Sequence, residues 1–126
     1  MSLIPAYLLS LSHSLVGIGL FSAPLTMAQL FGMTAVPSTV FVSRMLGSRD
    51  LVFGIGIFMA ITTHQQHLTA TLFLTNITNG IDILSVLISY AEGNLTVKAF
   101  ALLAGAAALV LGEGLWALSS LGRRVG

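Results

Sequence analysis

The chain contains no cysteine, and only five basic and four acidic residues stand among its 126 positions. The first absence excludes disulfides, thiolate catalysis and cysteine-based metal sites. The second excludes more. Charged residues make up 7% of the chain, against about 25% in a soluble domain. Too few charges remain to cover a water-facing surface, so an ordinary cytosolic enzyme and a disordered tail are both ruled out. The net charge is +1, with no basic stripe to neutralise phosphates, which excludes nucleic acid as a partner. There is no phosphate-binding loop, dinucleotide fingerprint, Gly-x-Ser-x-Gly elbow or His-Glu-x-x-His helix, and no cofactor is expected. What is present is apolar: 56% hydrophobic residues and a mean hydropathy of +0.98. These values predict an integral membrane protein.

A membrane-spanning helix needs about 20 mostly apolar residues, and four such spans with short loops use up the chain. The expected fold is therefore all-α, a four-helix transmembrane bundle forming one domain over residues 1–126, with spans at 3–21, 39–63, 68–91 and 95–121. Pro5 sits near the start of the first span, where its missing N–H costs little. With no basic leader segment or cleavage site, that span is read as retained. The connector from Ser22 to Ser38 is punctuated by Pro24 and Pro37 and carries Leu25, Met27, Leu30, Phe31 and Met33 without a charge. It is expected to lie at the interface or to fold back as a lid. An even number of spans puts both termini on one side, and Arg123 and Arg124 mark that side as cytoplasmic. Asn76 and Asn94 both fit the glycosylation pattern; one lies in the membrane and the other beside it, so neither is expected to be modified.

Ionisable residues inside spans are costly and are functional candidates by default. Counted at about 1.5 Å per residue from the side where spans one and three end, Arg44 lies roughly 8 Å deep, Arg49 and Asp50 roughly 15 Å, and His13 and Asp82 roughly 12–14 Å. One buried layer therefore holds all five. Glu113 counts to roughly 27 Å, near His64, His67 and Trp116. On span three, His64, His67, Thr71, Thr75, Thr78, Asp82, Ser85 and Ser89 recur in steps of three and four, which draws one polar stripe. Asn76 and Asn79 widen it, and Leu72, Leu84, Leu87 and Ile88 occupy the opposite side, assigned to lipid. Gly47 and Gly54 share the Asp50 side of span two, open to close approach by a ligand or another helix. Ser10, His13, Ser14 and Gly17 on span one, and Ala104, Ala108 and Gly112 on span four, read as small-residue packing faces. The latter face would also suit a homodimer.

Two carboxylates sharing a low-dielectric layer with an arginine suit paired acid–base work: one donates a proton while the other takes one from water or a hydroxyl. Arg49, with Arg44 second, would bridge Asp50 and Asp82, and Asn79 or Asn76 would position the water. This pairing suits epoxide opening, because the ring oxygen takes a proton as the carbon meets a nucleophile. A double-bond shift or a protonation-initiated cyclisation would use the same groups. Against this stands a structural reading, in which Asp50 and Asp82 form ion pairs that fix helix register. A hydrophobic-ligand binder and a small transporter are further alternatives. His64-x-x-His67 lacks a third ligand, so no metal is expected.

The segment from Ser43 to Gly54, with the pattern Arg-x-x-Gly-x-Arg-Asp-x-x-x-Gly carried by Arg44, Gly47, Arg49, Asp50 and Gly54, resembles the central motif of a fungal family of small four-span membrane proteins, mostly classed as a domain of unknown function. Members of this kind occur with polyketide biosynthetic enzymes, and some are associated with epoxide hydrolysis or epoxide-opening cyclisation. The resemblance implies a lipophilic polyketide epoxide as substrate and the endoplasmic reticulum as the membrane. Its acid–arginine–acid grouping is similar in kind to that of the small soluble limonene-epoxide hydrolases. The expected catalytic residues are Asp50, Asp82, Arg49, Arg44 and Asn79, supported by His13, Asn76, Thr78, Gly47 and Gly54.

Overall fold

The computed structural model describes residues 2–34 and 36–125, and side chains as far as Arg123. The Arg124 side chain, used above for orientation, lies outside the described residues. Four helices are long and apolar enough to cross a membrane: α1 (Ile4–Ser22), α3 (Pro37–Thr62), α4 (Leu68–Ala91) and α5 (Val97–Val125). Among the described residues there is no strand. The protein is thus an all-α integral membrane bundle. Three helices, α1, α2 (Pro24–Leu30) and α3, carry a proline at their first or second residue, which fixes φ where no N–H partner is needed. The connector expected at the interface or as a lid contains α2, which is followed by Gly32 with φ +69°, a left-handed turn that glycine adopts without a Cβ clash. A single turn over Gln65–His67 joins α3 to α4.

α1 and α3 form the closest pair. They run antiparallel, so Ser10 meets Gly54, His13 meets Asp50 and Gly17 meets Gly47. A Cβ on Gly47 would lie 2.8 Å from the Gly17 carbonyl, and one on Gly17 would lie 2.8 Å from the Gly47 carbonyl. The backbones touch there, and the Ser10 hydroxyl donates to the Gly54 carbonyl at 2.7 Å. α4 pairs with α5 in the same antiparallel sense, while α3 and α4 meet along a much smaller surface. The expected small-residue packing of α1 and α3 is therefore present. That of Ala104, Ala108 and Gly112 is not: Ala108 and Gly112 are exposed, and a Cβ on Gly112 would meet nothing. Gly114 carries the close approach on α5 instead, with Asn76 of α4 lying where its Cβ would be.

The apolar core lies at one end of the bundle, where Leu9, Ile57, Ile61, Leu68 and Leu72 are almost wholly buried. Leu72 had been assigned to the lipid face. It turns inward because Asn76 and Asn79, one and two turns further along, are also buried. The inward face of α4 is thus centred on the asparagines rather than on the hydroxyl stripe. Ser85, His64 and His67 are exposed, and Thr71, Thr78 and Ser89 are only half-buried.

Candidate functional site

Midway along the bundle, beyond the apolar core, a chain of polar contacts links three helices. From α3, Arg49 donates through both terminal nitrogens to Asp82 of α4, at 3.1 and 2.8 Å. The same guanidinium stands 3.6 Å from its neighbour Asp50. Asp50 turns the other way, toward α1, and its Oδ1 lies 3.4 Å from His13 Nδ1. The far nitrogen of that imidazole receives the Asn79 Nδ2 at 3.5 Å, and its ring packs edge-on against Phe53. The order is Asn79, His13, Asp50, Arg49, Asp82. Consecutive residues Arg49 and Asp50 point about 100° apart on a helix, which is why one reaches α4 while the other reaches α1.

The two carboxylates sit in different surroundings. The Asp50 and His13 side chains are 10% and 4% exposed, whereas those of Arg49 and Asp82 are both 33% exposed. The exposure is toward a cavity of about 730 Å³ whose wall includes His13, Arg49, Asp50, Asn79 and Asp82. The rest of that wall is chiefly apolar, with Leu20, Met27, Phe31, Leu103 and Val110 among its members. α2 thus covers one end of the cavity, in keeping with a segment folded back on the bundle. Val42 and Leu46 of α3 and Ile81 and Ser85 of α4 both line the cavity and are exposed. The cavity therefore opens sideways between α3 and α4, where the two helices pack least.

Counting formal charge, the cluster holds two carboxylates and one guanidinium. The 3.4 Å contact would let a proton be shared between His13 Nδ1 and Asp50 Oδ1. Asp82 is gripped at two points, the geometry of a guanidinium facing an ionised carboxylate. Each of its oxygens keeps a free lone pair for a further hydrogen bond. Asn79 Oδ1 is buried with no partner, leaving an acceptor beside the imidazole.

Of the expected residues, the structure brings together Asp50, Asp82, Arg49, Asn79 and His13. Gly47 and Gly54 belong to the contact with α1 rather than to the cavity wall. The Thr78 hydroxyl donates to the Leu74 carbonyl of its own helix. Asn76 is buried away from the cavity, against Gly114. Arg44 is exposed and outside the cavity wall, because five residues separate it from Arg49 and turn it about 140° around the helix. Among the described residues no group of three His, Cys, Asp or Glu could hold a metal ion.

Glu113 corrects the depth count. Its Oε1 accepts a hydrogen bond from Ser12 at 3.2 Å, which puts it at the level of His13 rather than at the opposite face. The count assumed that the helix ends were flush. α1 stops at Ser22, and α2 occupies the level at which α5 begins: Gly32, just past α2, lies against Lys98 and Ala99. Comparison with curated proteins and with solved structures finds no match. A family model covers residues 10–117, a stretch that includes every member of the polar cluster. The chain belongs to this family, the domain of unknown function DUF4267.

Proposed function

We propose that the protein is an integral-membrane epoxide hydrolase or epoxide-opening cyclase acting on a lipophilic, polyketide-like substrate. The observation that carries this reading is the placement of Asp50 and Asp82 on either side of Arg49 in the wall of one largely apolar cavity. The motif resemblance over Arg44 to Gly54 adds the fungal polyketide setting and the endoplasmic reticulum, and the even span count with Arg123 and Arg124 adds cytoplasmic termini.

In this reading the substrate enters from the bilayer between α3 and α4. The proton held by Asp50 and His13 goes to the epoxide oxygen as its C–O bond breaks. Asp82 takes a proton from a water molecule, whose oxygen forms the new bond to carbon. The product is a vicinal diol, and an internal hydroxyl in place of water gives a ring instead. Arg49 fixes the spacing of the two carboxyls and offsets the charge that moves between them. Asn79 offers its free carbonyl oxygen to the water. A double-bond shift or protonation-initiated cyclisation would use the same donor and acceptor without water.

A channel or transporter needs a polar path to both faces, whereas Leu9, Ile57, Ile61, Leu68 and Leu72 fill one end of the bundle. A binder would hold a lipophilic ligand and convert nothing. The test is incubation of proteoliposomes with lipophilic epoxides in isotope-labelled water, followed by mass spectrometry. A diol carrying one labelled oxygen is expected from hydrolysis, and an unlabelled isomer from cyclisation. Recovery of every epoxide unchanged would overturn the proposal.

A further inference from the structure

A second polar cluster lies where α1, α4 and α5 meet, and the reaction proposed above does not use it. Glu113 of α5 accepts one hydrogen bond, from Ser12, and its Oε2 is buried without a partner. Asn76 of α4 is 8% exposed, and both Nδ2 and Oδ1 are buried without partners. Its amide presses on α5 at Gly114, the residue after Glu113. Buried polar groups are rarely left unsatisfied, and here three such atoms share one junction.

The charge is unbalanced as well. Among the described residues no cation lies within ion-pair distance of Glu113: Arg49 is committed to Asp82 and Asp50, while Arg44, Lys98 and Arg123 are exposed. A bare carboxylate in a membrane span is expensive. A proton on Oε2 would remove the charge and give that oxygen a hydrogen to donate, while Asn76 Oδ1 is an unpartnered acceptor on the neighbouring helix.

The cluster also adjoins the first one. Ser12 precedes His13 in the chain, and Asn76 lies one turn before Asn79, which contacts His13. We propose that Glu113, Ser12 and Asn76 form a proton-holding site that refills the His13–Asp50 pair. The refilling role rests on the epoxide reading; the proton on Glu113 does not. Each turnover would take a proton from Asp50 and leave one on Asp82. Arg49 stands between the two and cannot relay it, because guanidinium does not give up its proton in a protein. Water in the shared cavity is one return path; a path on the His13 side would be the other, and the steady state of Glu113→Gln separates the two.

Infrared spectroscopy of the protein in proteoliposomes tests the site without any ligand. A carbonyl band of a protonated carboxylic acid, shifted in heavy water, is expected in the wild type. One component of that band should be lost in Glu113→Gln, remain in Asp50→Asn and Asp82→Asn, and move to higher frequency in Ser12→Ala. A band indifferent to Glu113→Gln would overturn the site. With a lipophilic aryl epoxide as probe, Glu113→Gln should keep its first turnover and slow the steady state by at least about tenfold. An unchanged steady state would overturn the refilling role. If the wild type opens no epoxide, the hydrolase reading and the refilling role fall together, while the infrared result still decides the site.

Discussion

Arg49 grips Asp82 at two points, 3.1 and 2.8 Å, and stands 3.6 Å from Asp50. This guanidinium is the one charged link across the weakly packed α3–α4 gap among the described residues. Lysine can supply the charge there but not the two-point geometry. Arg49→Lys is therefore expected to lower epoxide opening by roughly 100-fold and to reduce the melting temperature in detergent. Equal activity and stability in the two proteins would show that the fork has no role in either.

Asp50→Asn and Asp82→Asn should each cut turnover by about 10²–10⁴-fold, with the helical circular dichroism signal retained. The isosteric amide keeps the shape and removes the proton transfer. If one variant stays active, its carboxyl is a register-fixing ion pair and not an acid or base.

Arg44→Gln should change little, within about 0.5 kcal/mol in stability and without measurable loss of turnover. The side chain is exposed and lies outside the cavity wall. A strong defect would mean that Arg44 acts on substrate from the lipid side.

Gly47→Ala tests the α1–α3 contact. The new methyl would sit 2.6 Å from the Phe21 nitrogen, and backbone cannot swing aside as a flexible side chain can. A loss of about 1–3 kcal/mol or more is expected. Gly56→Ala, on the same helix with nothing within 4 Å, should be neutral or stabilising by up to about 1 kcal/mol. Denaturation in mixed micelles compares the two directly.

Filling the cavity should separate binding from folding. Ala107→Trp places a large ring in the wall of the 730 Å³ cavity on α5, away from the carboxylates' own helices. Turnover should fall through a raised KM, and melting should stay near wild type. An unaltered KM would place the substrate elsewhere.

The four spans were legible because long apolar runs announce themselves, and α4 was located to the residue at Leu68–Ala91. Arg49, Asp50, Asp82 and His13 were legible as a layer because charge is scarce in lipid and antiparallel order fixes relative depth. The inward face of α4 was misjudged for a chemical reason. Thr71, Thr75, Thr78 and Ser85 each donate to the carbonyl four residues back, so a hydroxyl in a helix can satisfy itself and face anywhere. An asparagine amide has more donors and acceptors than its own helix can meet, so Asn76 and Asn79 turn inward. Counting hydroxyls and amides as one polar class hid that difference. The level of Glu113 was lost because α2 could not be read from a seven-residue connector helix, and with it went the assumption of flush ends.

The early end of α1 also sets how the two reactants would meet. His13 lies nine residues before Ser22, roughly 14 Å along the helix, and beyond that point only α2 covers the bundle. α5 continues over 29 residues, long enough to cross the bilayer with length to spare. On that side α1 therefore ends early, and α2 occupies the step beside it. Under the epoxide reading, water would reach His13 over α2 while the lipophilic substrate entered sideways between α3 and α4. The two supplies would then converge on the same pair of carboxyls.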